Sequence, residues 1–314
     1  MPDGDEPDFT GFGASSLVLN VHALLIRISW RFGMTFTAPT LSRNTVWGFV
    51  AFSHGWTWFF WIVAGLIGAS IWRPPALFFF ILGGMGVLLG GVVMTRLTRG
   101  ADGLRELGRR IVDPSWITGC WWTVLLLFFP VLTLLAGTLA RALGDTQPFD
   151  LSGVAQRLAN PFSLVTMIVF TFIIGPLPEE IGWRGYLLDQ LQTRWSALLA
   201  GLFVGLLNWV WHYPLFFLPG YADAFRAIPP SMLQMFFVVV PAVLLYTWVH
   251  NNTGRSVLAT MLFHFGGNFW GEFFGLSAQA QTVRMVLTII AVAFIAWWWG
   301  PTTLHRESRL VPGH

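Results

Sequence analysis

Eight apolar runs, most of about 17–25 residues, divide this chain and leave most of its charge in the stretches between them. They fall near 46–71, 75–95, 116–140, 162–192, 196–217, 232–249, 256–275 and 282–300. A run of that length crosses the hydrocarbon of a bilayer as an α-helix, which satisfies its own backbone polar groups where water cannot. Soluble domains carry about 25% charged residues. This chain has 11%, with 55% hydrophobic residues and a mean hydropathy of +0.63. The expected fold is all-α: a polytopic integral membrane protein of about eight transmembrane helices. Its 18 Trp and 29 Phe suit aromatic belts and bundle filling.

Charge placement sets the orientation. Every basic residue is an arginine, and Arg96, Arg99, Arg105, Arg109 and Arg110 crowd one connecting stretch. With both termini cytoplasmic, most arginines lie on the inner side, as the positive-inside rule requires. The expected location is therefore multi-pass, in the cell (plasma) membrane. Two shorter stretches, 15–34 with Arg27 and Arg31, and 100–112, mix apolar and Arg positions and read as interfacial helices. The pI of about 9.6 comes without a basic stripe or recognition motif, so nucleic acid is excluded as a partner. Cys120 stands alone, which excludes an intramolecular disulfide and a Cys-based metal cluster; followed by Trp121 and Trp122, it reads as packing. The acidic start (Asp3, Asp5, Glu6, Asp8) lacks the layout of a signal peptide, so insertion through the chain's own spans is expected.

Against this background Glu179 and Glu180 are conspicuous. They follow Gly175-Pro176-Leu177-Pro178 within the fourth run. An ionised side chain at mid-bilayer costs at least ~2.5–3.5 kcal/mol on insertion scales, so such residues usually face a cavity and find partners. The two prolines predict a bend just before the pair, with the helix continuing to about Leu191. The turn into the fifth run lies near Thr193–Trp195. Glu179 precedes it, and His212 follows it, by distances that correspond to ~22–26 Å along antiparallel helices. Asn268 stands ~20 Å into the seventh run, with His264 one turn away. Four polar groups from three helices are thus expected at one depth, around an intramembrane cavity.

Their chemistry follows from their spacing. Glu180 and Arg184 are i,i+4 with the acid N-terminal, the better order for a helical ion pair. Glu179, about 100° round the helix, is then free to face the cavity as a general base. A neutral His212 beside a carboxylate can hold and polarise a water. His264 and Asn268 share one helical face and can aim two donors at a developing oxyanion. Gly266 and Gly267 permit close helix approach. Asn208, one turn before His212, can orient it. His54 reads as structural. His250, Asn251 and Asn252 fall in a connecting turn and are expected to be solvated.

Glu-Glu-x-x-x-Arg-Gly at 179–185, Trp-His-x-Pro-Leu-Phe at 211–216 and His-x-x-x-Asn at 264–268 resemble, in order and spacing, the three motifs of the CAAX prenyl protease type II and bacteriocin-processing (CPBP, or Abi) family. Asn252-Thr253-Gly254-Arg255-Ser256 before the last motif adds to the resemblance, which covers roughly 160–275. It implies an eight-helix endopeptidase whose site opens to the cytosol. Glu179 and His212 would activate water, His264 and Asn268 would stabilise the oxyanion, and Glu180 and Arg184 would be the accessory pair. The partners implied are the lipid bilayer and a membrane-associated protein or peptide substrate, prenylated or bacteriocin-like. No cofactor is expected. A zinc among Glu179, His212 and His264 is one alternative, and a non-catalytic scaffold or bacteriocin self-immunity protein is another. The family commonly has an aromatic residue where Asn208 stands, which bears on pocket polarity. The organisation expected is a cytoplasmic N-terminal segment at 1–44, three spans at 45–160, the catalytic core at 161–275, and a last span with its tail at 276–314.

Overall fold

The computed structural model describes residues 43–221 and 231–305; the expected interfacial helix at 15–34 and both termini lie outside them. The described residues form helices and no strand. In chain order these are α1 (Arg43–Leu66), α2 (Ala76–Gly84), α3 (Gly86–Val112), α4 (Gly119–Ala142), α5 (Leu151–Ala159), α6 (Pro161–Ile174), α7 (Pro176–Gly182), α8 (Leu188–Leu191), α9 (Ala197–Trp211), α10 (Met232–Asn252), α11 (Val257–Phe274) and α12 (Ala278–Trp299). A π-helical turn, Trp183–Leu187, joins α7 to α8, and a 3-10 turn, Tyr213–Phe217, follows α9.

The protein is an all-α, multi-pass membrane protein. Among the described residues seven stretches are long and apolar enough to cross a bilayer, against the eight runs read from the sequence. The difference is α11: the helix is there, at 18 residues, but His264, Asn268, Glu272 and its glycines dilute its hydropathy. Helix α3 also extends past the expected end of its run, through Val112. It breaks at Gly100 (φ 66°, ψ −157°), a backbone state that glycine reaches without a Cβ penalty. Arg99 pairs with Glu106 across the break, and Arg105 with Asp102 beyond it.

The fourth run is interrupted where its sequence changes. Helix α6 stops at Gly175 (φ −113°, ψ −83°), and Pro176 opens α7 at the first helical position, where its missing N–H costs nothing. Helix α7 then presses backbone to backbone on α3. A Cβ built on Gly182 would lie 2.2 Å from the Val87 carbonyl oxygen, and one on Gly91 would lie 2.7 Å from the Gly182 Cα. Close approach of this kind is what small residues allow between membrane helices. Gly182→Val is expected to force the pair apart and lower stability by about 1–3 kcal/mol, read as a fall in the unfolding midpoint in detergent.

A second anchor ties the ends of α3, α8 and α10 together. Arg110 Nη1 donates to Asp189 Oδ2 at 2.7 Å, and His250 Nε2 lies 3.0 Å from Asp189 Oδ1. Arg110 Nε also donates to the Arg255 carbonyl at 2.7 Å. His250 is therefore fully buried, against the expectation of a solvated turn residue. Helix α10 runs on through Asn252 and carries His250 to a carboxylate from a distant part of the chain. Asn251 exchanges hydrogen bonds with the Gln192 side chain, and Asn252 donates to the Leu304 carbonyl. Cys120, read as packing, is exposed at the first turn of α4.

Candidate active site

The break at Gly175 turns the start of α7 inward, toward a partly open cavity of about 270 Å³. Helices α1, α2, α6, α7, α9, α10, α11 and α12 contribute to its wall. Glu179, Asn208, His212, His264 and Asn268 all line it, among apolar side chains that include Trp61, Phe80 and Val243.

Glu179 is buried, with 6% of its surface exposed. The Asn208 carboxamide Nδ2 donates to its Oε2 at 3.1 Å, which fixes one oxygen and leaves Oε1 on the side of Gly175 and Asn268. A Cβ on Gly175 would lie 3.8 Å from Glu179 Oε1 and 3.4 Å from Asn268 Nδ2, so the missing side chain keeps open the space that these two groups share. Asn268 is exposed, its surface open to the cavity.

His212 ends α9 as its C-cap. Its Nδ1 lies 2.8 Å from the Asn208 carbonyl oxygen. A carbonyl only accepts, so Nδ1 carries a proton, and the neutral form of the ring presents the lone pair of Nε2. Asn208 thus serves both partners: its side chain holds Glu179, and its backbone orients His212. The sequence suggested only the second of these tasks.

Glu180 turns away from the cavity. It is fully buried, and its Oε1 takes both Arg184 Nη1 at 2.9 Å and His264 Nδ1 at 2.8 Å. The Arg184 guanidinium also sits 4.9 Å from the centre of the Tyr246 ring, within cation–π range. The same ring stacks on His264 at 4.8 Å and 24°. His264 is therefore held on an edge by a carboxylate and on a face by a phenol ring, with Nε2 left for the cavity. An imidazolium here has a counter-ion already in place.

Several participants escape a reading of the motifs. Tyr246 lies in α10, outside all three. Tyr221, beyond the spans, also lines the cavity; burial first, then the charge of Glu179, pushes its phenol up, so it stays a hydrogen-bond donor. Arg284 of α12 reaches the same wall. Of these, only Arg284 carries a signal that sequence could have used, a charge within an apolar run. His54 bridges helices, with Nε2 3.1 Å from the Leu207 carbonyl oxygen.

Residues 161–270 match the family described as type II CAAX prenyl endopeptidase, Rce1-like. A CAAX prenyl protease 2 from Methanococcus maripaludis is 28% identical over 182 residues, which cover 55% of this chain and 64% of that protein. The chain thus spans under two thirds of the length of that relative. The matched segment contains Glu179, Glu180, Arg184, Asn208, His212, His264 and Asn268.

Proposed function

We propose, from the match of residues 161–270 to the Rce1-like type II CAAX prenyl endopeptidase family, that this protein is an intramembrane peptidase that hydrolyses a peptide bond with a glutamate-activated water. One observation carries the proposal: Glu179, His212, His264 and Asn268, brought from three separated segments, face a single cavity between membrane-spanning helices. A charge kept there at such desolvation cost needs a purpose, and the apolar wall gives lipid-linked substrate a place to lie.

In this reading a water sits between Glu179 and His212 Nε2. Glu179 accepts its proton as the oxygen attacks the scissile carbonyl carbon. The resulting oxyanion is met by the His264 Nε2–H and the Asn268 carboxamide, donors already positioned before the charge develops. Protonated Glu179 then returns the proton to the leaving amine nitrogen as the C–N bond breaks. Glu180 and Arg184 touch no reacting atom; they hold His264. The reaction is proposed in its metal-independent form, in which Glu179 and His212 alone activate the water.

The substrate class proposed is a prenylated peptide in the membrane, after the printed name of the relative. Purified protein in detergent, given an S-farnesylated peptide that ends in a cysteine and three further residues, is expected to cleave it after the cysteine. Activity is expected to survive EDTA and phenanthroline. No cleavage by folded protein contradicts the proposal, and loss on chelation with recovery on added zinc contradicts its metal-independent form.

A further inference from the structure

Arg284 is an intramembrane cation whose hydrogen bonding inside the protein is incomplete. It lies in the second turn of α12, and its side chain crosses to α11, where Nη2 donates to the Gly267 carbonyl at 3.1 Å. Nη1 is buried with no hydrogen-bond partner. It rests against Gly271, where an added Cβ would be 2.5 Å away. A guanidinium offers five N–H donors in a planar fork suited to a carboxylate. Its electrostatic neighbours are Tyr246 and Glu272, which line the same cavity. The Tyr246 hydroxyl oxygen would lie 3.1 Å from a Cβ on Gly267, so a phenol and a guanidinium meet beside that residue.

A strut between α11 and α12 would need one neutral donor. Keeping a full cation at this depth is costly, and Glu272 supplies charge nearby without occupying Nη1. The position along α11 adds a length. Gly267 and Gly271 stand three and seven residues beyond His264, a rise of ~4.5–10.5 Å. An extended peptide covers ~3.3–3.6 Å per residue, so that interval spans roughly one to three residues.

We infer that Arg284, with Tyr246 beside it, binds the free α-carboxylate of the peptide segment to be released, and so sets how far from the chain end the bond is cut. The inference rests on the peptidase reading and deepens it. Arg284 is here a specificity residue that touches the end of the substrate, away from the bond that breaks.

The test is a binding measurement in the Glu179→Gln background, where hydrolysis cannot confuse it. Two probes are compared: an S-farnesylated tetrapeptide of cysteine and three aliphatic residues, and the same peptide as its C-terminal carboxamide. The carboxylate form is expected to bind about 10- to 100-fold more tightly, the worth of a charged hydrogen bond. Adding Arg284→Gln is expected to abolish that preference while leaving the carboxamide affinity unchanged. Gly271→Ala, which crowds Nη1, is expected to weaken the preference if Arg284→Gln fails to fold. Equal binding of the two probes, binding of neither, or a parallel loss of both in the Arg284 variant overturns the inference. A preference for carboxylate in a wild-type protein that cleaves neither peptide overturns the peptidase reading and leaves the carboxylate site standing.

Discussion

Replacing Glu179 by glutamine is expected to slow peptide hydrolysis by about 10³-fold, within the range that a positioned general base contributes, while the protein stays folded. Glutamine has the same shape, and its carbonyl oxygen can still accept the Asn208 carboxamide that now donates to Glu179 at 3.1 Å. What disappears is the proton acceptor. Turnover of the farnesylated peptide, set beside the unfolding midpoint of the same preparations, separates the two effects. Substantial remaining activity would assign the base to another group. Alanine is the poorer choice, because it also leaves the Asn208 amide without a partner.

The second large effect concerns stability. Arg184→Met is expected to cost about 3–5 kcal/mol, the usual consequence of removing one member of a buried ion pair. Glu180 and Arg184 are both fully buried. Without the guanidinium, Glu180 would keep only His264 as a partner on Oε1, since Oε2 already has none. The cation–π contact with Tyr246 would be lost as well. Removing both charges, as Glu180→Gln with Arg184→Met, is expected to recover much of that stability, because an apolar replacement of a buried pair is often close to neutral. Activity is not expected to return with it, since His264 loses the carboxylate that fixes its ring. Thermal unfolding in detergent, paired with turnover, checks both halves. If the double variant is as unstable as Arg184→Met alone, the cost lies in packing rather than in the orphaned charge.

How much of this was legible from sequence depends on whether an interaction is local. Glu180 and Arg184 are four residues apart, and helical periodicity predicts their contact outright. That Glu179, His212 and Asn268 line one cavity agrees with counting residues along antiparallel helices, because rise per residue is nearly constant. The break at Gly175 is written in its two prolines. The contacts that hold the site together are different in kind. Arg110 finds Asp189, and His250 joins them, across separations of 79 and 61 residues. Periodicity is silent about such pairings, though three polar groups near the ends of apolar helices were a hint that a charge in lipid seeks a partner. Tyr246 was invisible for another reason: an aromatic in a membrane helix is ordinary, and only the fold stacks this one on His264. Asn208 was noticed, but its side chain could turn either way, and the approach of α7 decides that it meets Glu179.

Glu179 and His212 are claimed to act as one unit on one water, and a double-mutant cycle on kcat/KM tests this most directly. Residues that act as a unit are strongly non-additive. Glu179→Gln and His212→Gln should each cause a large loss of turnover of the farnesylated peptide, and the double variant should be no worse than the weaker single one. Losses that multiply, or wild-type turnover in either single variant, would contradict the shared-water account.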